Sequence, residues 1–287
     1  MILTWQLILI GVAMVFLVVA SYTDLKKREV PDWLNFSLMF SALGLRALYS
    51  FEYGWSLLLD GVLGFLVCLG IAYLFYHTNQ WGGGDSKLLM GMGAVIGLGF
   101  DFQNWKLANY DFSLIIFFIG LFLFGAVFAL IWSMVLAFRN KDTFFQEFKD
   151  LLSNFKKWHY LSLIIGFGFL IGSFFYSYLW PLIIFPGIGF YTICFIKGVE
   201  KKCFIKKVKA EQLVEGDWLA EDIALAEDVM INKNAALEKK DIWKLRHLQE
   251  EGKIKKIVVK EGVPFVPSFL LSYLAIIFGS ELVRLFV

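Results

Sequence analysis

Two aspartates stand where long apolar runs meet polar chain. Asp24 closes the first run in Ser21-Tyr22-Thr23-Asp24, and Asp85 follows Gly82-Gly83-Gly84 where another run begins. A carboxyl at the end of a membrane helix is costly unless it is solvated, paired or used, so each is a functional candidate. Two carboxyls held together do not both ionise readily, and such a pair shares one proton near neutral pH. The ionised member takes a proton from water as that water attacks an amide carbonyl. The protonated member donates a hydrogen bond to the carbonyl, and a proton later reaches the leaving nitrogen. No GxSxG or HExxH competes, and the three histidines (His77, His159, His247) are isolated. Gly82 to Gly84 allow unusual dihedrals and close approach of a substrate backbone. Asp85 also opens a helix, whose dipole favours the ionised carboxyl and makes it the candidate general base. Either aspartate alone reads equally well as a helix cap; their placement on one face carries the argument.

The elements that position them are membrane helices. Of the 287 residues 59% are hydrophobic and only 18% charged, against about 45–50% and about 25% in soluble domains. The expected fold class is an all-α polytopic membrane protein of six to eight transmembrane helices, with a small cytoplasmic α/β insertion before the last. Apolar runs of spanning length fall at about 2–22, 33–50, 56–77, 86–100, 112–138, 160–178, 181–196 and 264–285. The first lacks a basic leader and a small-residue cleavage site, so it reads as a retained span. With the N-terminus outside, 24 of the 27 basic residues fall in the inner segments, leaving Arg46, Lys106 and Arg284 elsewhere. That asymmetry places Asp24 and Asp85 at the cytoplasmic face.

Residues 1–138 read as the catalytic core, 159–197 as a helix pair and 264–287 as a closing helix. Between them, 139–158 sets Phe144, Phe145, Phe148, Leu151, Leu152 and Phe155 at helical spacing among lysines, the pattern of an interfacial amphipathic helix. Residues 198–263 form a polar α/β module. It combines a strand–turn–strand element at 212–219 with Gly216 in the turn, a helical face of Leu237, Ile242, Leu245 and Leu248, and a strand at 256–260. Its lysines lack the aromatic interleaving of a nucleic-acid surface. Cys68, Cys194 and Cys203 have no metal-type spacing, which points to neither a zinc site nor a disulfide framework. Asp32 reads as a cap of the second helix; Asp60, Asp101 and Asp111 read as outer flanks; Arg46 has no evident partner. Lys87 stands near enough in sequence to brace Asp85, and His77 reads as an interface residue.

The run Asp24-Leu25-Lys26-Lys27-Arg28-Glu29-Val30-Pro31-Asp32-Trp33-Leu34-Asn35 resembles the first motif of type IV prepilin peptidases. Gly82-Gly83-Gly84-Asp85-Ser86-Lys87 matches their GxGDxK motif. The closing region, with Glu215-Gly216-Asp217 and Gly262-Val263-Pro264-Phe265-Val266-Pro267, resembles the extra C-terminal part of archaeal members, preflagellin peptidases among them. The resemblance implies that Asp24 and Asp85 are catalytic and that the substrates are archaellin or pilin-like precursors with class III signal peptides. It implies cleavage at the cytoplasmic face of the cell membrane. Bacterial members that also methylate carry a domain with paired CxxC motifs; this chain has none. A peptidase without cofactor, metal or methyl donor is therefore expected, with the bilayer and the precursors as partners and no nucleic acid. Glu29 and Asp32 are candidate contacts for a basic leader. The competing readings are a presenilin-like intramembrane protease, which would carry a Pro-Ala-Leu motif absent here, and an ion-coupled transporter, which would place charges deep within the spans.

Overall fold

The structure, a computed structural model, describes residues 4–78, 80–101, 106–107, 113–213, 217–220, 223–226, 229–231, 237, 239–254, 256–260 and 262–286. Its helices are α1 (Thr4–Lys27), α2 (Asp32–Tyr53), α3 (Ser56–His77), α4 (Gly83–Ile96), α5 (Ser113–Arg139), α6 (Lys141–Asn154), α7 (Lys156–Ser173), α8 (Phe185–Lys202), α9 (Lys239–Glu250) and α10 (Val266–Phe286). All eight expected apolar runs are thus helical. Among the described residues Trp5–Lys27, Ser56–His77, Ser113–Arg139 and Ser177–Lys202 are long and apolar enough to cross a membrane. The protein is an all-α polytopic membrane protein with a small α/β insertion.

It divides into two compact units, one of Met1–Ala129 with Val263–Val287 and one of Leu130–Gly262. In the first, α1 to α4, the start of α5, and α10 enclose a core that includes Leu17, Leu34, Leu38, Leu88, Met92 and Phe117. A short hairpin of β1 (Phe100–Asp101) and β2 (Lys106–Leu107) follows α4. The contact of α3 with α4 is made of small residues. A Cβ on Gly64 would overlap the Gly93 carbonyl, and one on Gly93 would meet Cys68 Cβ at 2.6 Å. The four glycines of the fourth apolar run foretell such close packing, which in lipid replaces a hydrophobic drive.

Arg46 and Asp60 correct their sequence readings. Arg46 is 3% exposed. It donates from Nη1 to Leu57 O (2.9 Å) and Asp60 Oδ2 (3.1 Å), and from Nη2 to Val95 O (2.9 Å). Asp60 Oδ1 accepts the amides of Leu98 (3.1 Å) and Gly99 (2.7 Å). These groups meet where α4 stops at Gly97, whose φ of +80° suits glycine and whose Cβ would overlap the Asp60 carboxylate. Neither residue is an outer flank or a lone charge. At 14 residues α4 is about 21 Å long, less than a hydrocarbon core of about 30 Å, so its freed backbone groups need these partners inside the fold.

In the second unit α6 turns Phe144, Glu147 and Leu151 inward. Phe144 and Leu151 pack against Gly198 of α8, and Glu147 Oε1 lies 2.5 Å from Lys201 Nζ. The amphipathic stripe is therefore partly a packing face against α8, with Phe145 left exposed. Pro181 sits inside a 3-10 turn at Ser177–Ile183 before α8. The module is a three-stranded antiparallel sheet ordered β3 (Ile205–Val208), β7 (Ile257–Lys260), β4 (Trp218–Leu219), with a hairpin of β5 (Ile223–Ala226) and β6 (Val229–Ile231). Leu237, Ile242 and Leu245 of the expected helical face close its core with Val208, Leu219 and Val259. Gly252 stops α9 at φ +75°. Of the expected strand–turn–strand at 212–219, β4 supplies Trp218–Leu219 and Gln212 ends a 3-10 turn; residues 214–216, with Gly216, lie outside the described residues.

Breaking a buried ion pair costs about 3–5 kcal/mol, because it strands the remaining charge. Asp60→Ala or Arg46→Ala should lower unfolding stability in mixed micelles by that order, with Arg46→Met/Asp60→Leu together costing less than the sum. An Asp60→Ala protein as stable as the native one would show that the pair holds nothing.

Candidate active site

α1 ends because Arg28 takes a left-handed backbone (φ 61°) while its amide donates to Asp24 O at 2.8 Å. Asp24 is left in the last turn, 6% exposed. The chain then crosses to the start of α4 through buried Val30, and Pro31 takes the N-cap position of α2. Pro31, rather than Asp32, thus occupies the cap; Asp32 is the first helical residue.

Gly82 caps α4 in an extended conformation (φ −71°, ψ 163°), and Gly83 and Gly84 are already helical. The glycines therefore do not serve unusual dihedrals, as the sequence suggests. Gly84 serves contact instead: a Cβ there would lie 3.3 Å from Val30 Cβ and 3.4 Å from Val30 N. Asn35 Nδ2 adds a hydrogen bond to Gly84 O at 3.3 Å. The first turn of α4 is thereby pressed onto the segment that links Asp24 to α2.

Asp85, half-buried in that first turn, carries the main electrostatic signal. Burial of its carboxyl, and after it the negative charge of Asp24, push Asp85 up to about 7. This reverses the argument from the helix dipole, which is worth about 0.3–1 kcal/mol and loses to desolvation and like charge. The two carboxyls thus act on one another, from the C-terminal turn of α1 and the N-terminal turn of α4. Asp24 Oδ2 accepts the amide of Val266, the first residue of α10, at 3.0 Å. Trp81, just before the glycines, stacks on Phe75 (centroids 4.8 Å) and packs against Phe265 (5.4 Å) and Phe269 (5.9 Å). An aromatic cluster therefore joins the glycine turn to the start of α10.

Lys87 does not reach for Asp85 but pairs with Asp32 Oδ1 at 2.5 Å, above the Phe36 ring. Glu29 is exposed in the turn after α1. His77 packs against Tyr73, with tilted rings 4.1 Å apart at their centroids, and is exposed. Among the described residues no three His, Cys, Asp or Glu side chains form a group able to hold a metal ion. Sequence reasoning assigns no part in this site to Val266, Trp81 or Val30. The only signal for Val266 is its place among the prolines of Pro264-Phe265-Val266-Pro267, where the last apolar run begins.

The two inner glycines should respond differently to a methyl group. Gly84→Ala is expected to cost about 1–3 kcal/mol by overpacking against Val30. Gly83→Ala, whose new Cβ would meet only Tyr76 Cε2 at 3.8 Å, should be neutral or stabilising. Thermal unfolding of the two variants checks this; equal midpoints would remove the contact role of Gly84.

Residues 11–134, which contain both aspartates, match the type IV leader peptidase family. Over 81 residues the chain is 35% identical to a preflagellin peptidase of Methanocaldococcus jannaschii, covering 28% of this chain and 34% of that protein. Preflagellin peptidases of Methanococcus voltae (33% over 87 residues, 30% and 37% of the two chains) and Methanococcus maripaludis (33% over 84 residues, 28% and 35%) are similar to it as well. The chain thus spans about a third of the length of the curated relatives it matches. No solved structure matches it. Residues 11–134, which hold the aspartate pair and the glycine turn between α1 and α4, are thus the part of the chain that is similar to the type IV leader peptidase family.

Proposed function

We propose that the protein is a membrane aspartic endopeptidase that removes class III signal peptides from archaellin or pilin-like precursors. The supporting observation is the pair itself: two carboxyls from opposite ends of two helices, one raising the other, inside the segment that matches the peptidase family. Asp85, pushed up to about 7, keeps a protonated fraction at neutral pH, and that form donates a hydrogen bond to the scissile carbonyl. Asp24 is the carboxylate that takes a proton as water's oxygen bonds to the carbonyl carbon. When the C–N bond breaks, a proton passes to the leaving nitrogen and the pair keeps one proton. These roles reverse the one that the helix dipole suggests for Asp85.

The distribution of basic residues supports a cytoplasmic site, where a short basic leader precedes an apolar segment. Glu29, in the turn between α1 and α2, and Asp32, at the start of α2, supply the negative charge for that leader. Asp32 is held by Lys87, so a leader lysine that used it would replace an exposed pair worth about 0–1 kcal/mol. The buried Arg46–Asp60 pair offers little to a transporter reading, since its groups bond to the backbone of α3, α4 and the turn after α4.

Cleavage of an archaellin-like or pilin-like precursor in liposomes tests the proposal. Asp24→Asn and Asp85→Asn should each abolish cleavage while leaving the protein folded; activity in either would remove that residue from the chemistry. The rate should fall as pH rises through about 7, because Asp85 then loses the proton it donates. A flat profile up to about pH 9 would contradict its role as acid. Charge reversal at Glu29 and Asp32 should raise KM for basic-leader precursors, and an unchanged KM would free both of leader binding.

A further inference from the structure

We infer that the backbone amide of Val266, at the start of α10, is a positioning group of the active site that orients the Asp24 carboxylate for attack. The inference rests on the peptidase reading and adds a third segment to the two that carry the aspartates.

The amides at the start of α10 are few. Pro267 has no N–H, and the amide of Ser268 goes to Phe265 O at 3.0 Å. Of the three positions 266–268, Val266 holds the amide that is left, and it points at Asp24 Oδ2 across 3.0 Å in a buried setting. A helix start with an unused amide in an apolar interior is expensive, and a carboxylate is its strongest acceptor. The Phe265 backbone amide also bonds the Asp24 carboxyl, and the 3.0 Å bond from Val266 fixes its Oδ2. An oxygen fixed in this way needs no reorientation at the transition state, where small displacements of a base are costly.

The amide is itself held in place. Phe265 packs on Trp81, and a Cβ on Gly125 would overlap its ring. Val266 and Phe269 are fully buried, and Ser272 Oγ donates to Phe117 O at 2.5 Å. Trp81 precedes the glycine turn of Asp85, so one aromatic contact ties the amide that holds Asp24 to the turn that holds Asp85. Residues 265–266 thus form the side of the site that α1 and α4 do not supply.

The first position of a helix tolerates proline, whose φ suits it and whose missing N–H disturbs no helical bond. Val266→Pro therefore deletes the amide at nearly constant side-chain volume, while Val266→Ala keeps the amide and trims the side chain. Steady-state cleavage of a pilin-like precursor in liposomes compares them. Val266→Pro should lower kcat about 10- to 100-fold with KM within about twofold, and at least tenfold further than Val266→Ala does. If Val266→Pro does not fold, incorporating the α-hydroxy acid of valine at 266 replaces the amide by an ester and removes the same hydrogen. A folded Val266→Pro or ester protein with native kcat overturns the inference and leaves the peptidase reading standing. A native protein that cleaves no such precursor overturns both.

Discussion

The side chain of Arg46, 3% exposed and set among α2, α3 and α4, makes the interaction on which the unit holding both aspartates rests. Arg46 accounts for the Val95 carbonyl near the end of α4, and its partner Asp60 accounts for the two amides just beyond. In an apolar interior each of those groups would otherwise cost several kcal/mol. The pair therefore allows α4 to stop after 14 residues. A helix whose length is fixed at one end has its other end fixed too, and that end carries Asp85. The stripe of Gly91 and Gly93, lying against Leu38, Gly64 and Cys68, removes the remaining sliding freedom. The Arg46–Asp60 lock and the glycine turn are the two ends of one 14-residue helix.

At the N-terminal end of α4, the site is a contest between three influences on a carboxyl. The dipole of α4 favours ionised Asp85, whereas burial and the neighbouring Asp24 oppose it and prevail. Lys87, the one cation of the GxGDxK motif, is drawn away to Asp32 and so does not offset them. Asp24 has different company, an amide from α10 and the left-handed turn at Arg28. Two identical side chains thus sit in unequal surroundings.

Much of this was legible in the residues. Runs of apolar residues set the helices, and Ile242 and Leu245 marked the module's helix, whereas Leu237 joins its core from before the helix starts. The two aspartates stood out because each ends or begins such a run. What escaped is long-range. Asp60 lies 14 residues from Arg46, a separation that matches no periodic rule, because the two sit on different helices. The three glycines signalled a special backbone, but their chemistry permits either odd dihedrals or close approach, and only the position of Val30 decides between them. Val266 was hidden for a stronger reason: its contribution is a backbone amide, which every residue but proline possesses.

Asp24 and Val266 are 242 residues apart in the chain. At a synthesis rate of about 5–20 residues per second, roughly 10–50 s separate their appearance at the ribosome. Both aspartates enter the membrane early, and the intervening unit is made before the amide exists. A growing chain thus carries its acidic pair unsupported while its own and other nascent segments pass nearby. The hydrogen bond that holds the Asp24 carboxyl therefore waits on α10, so the order of translation sets when this contact can form.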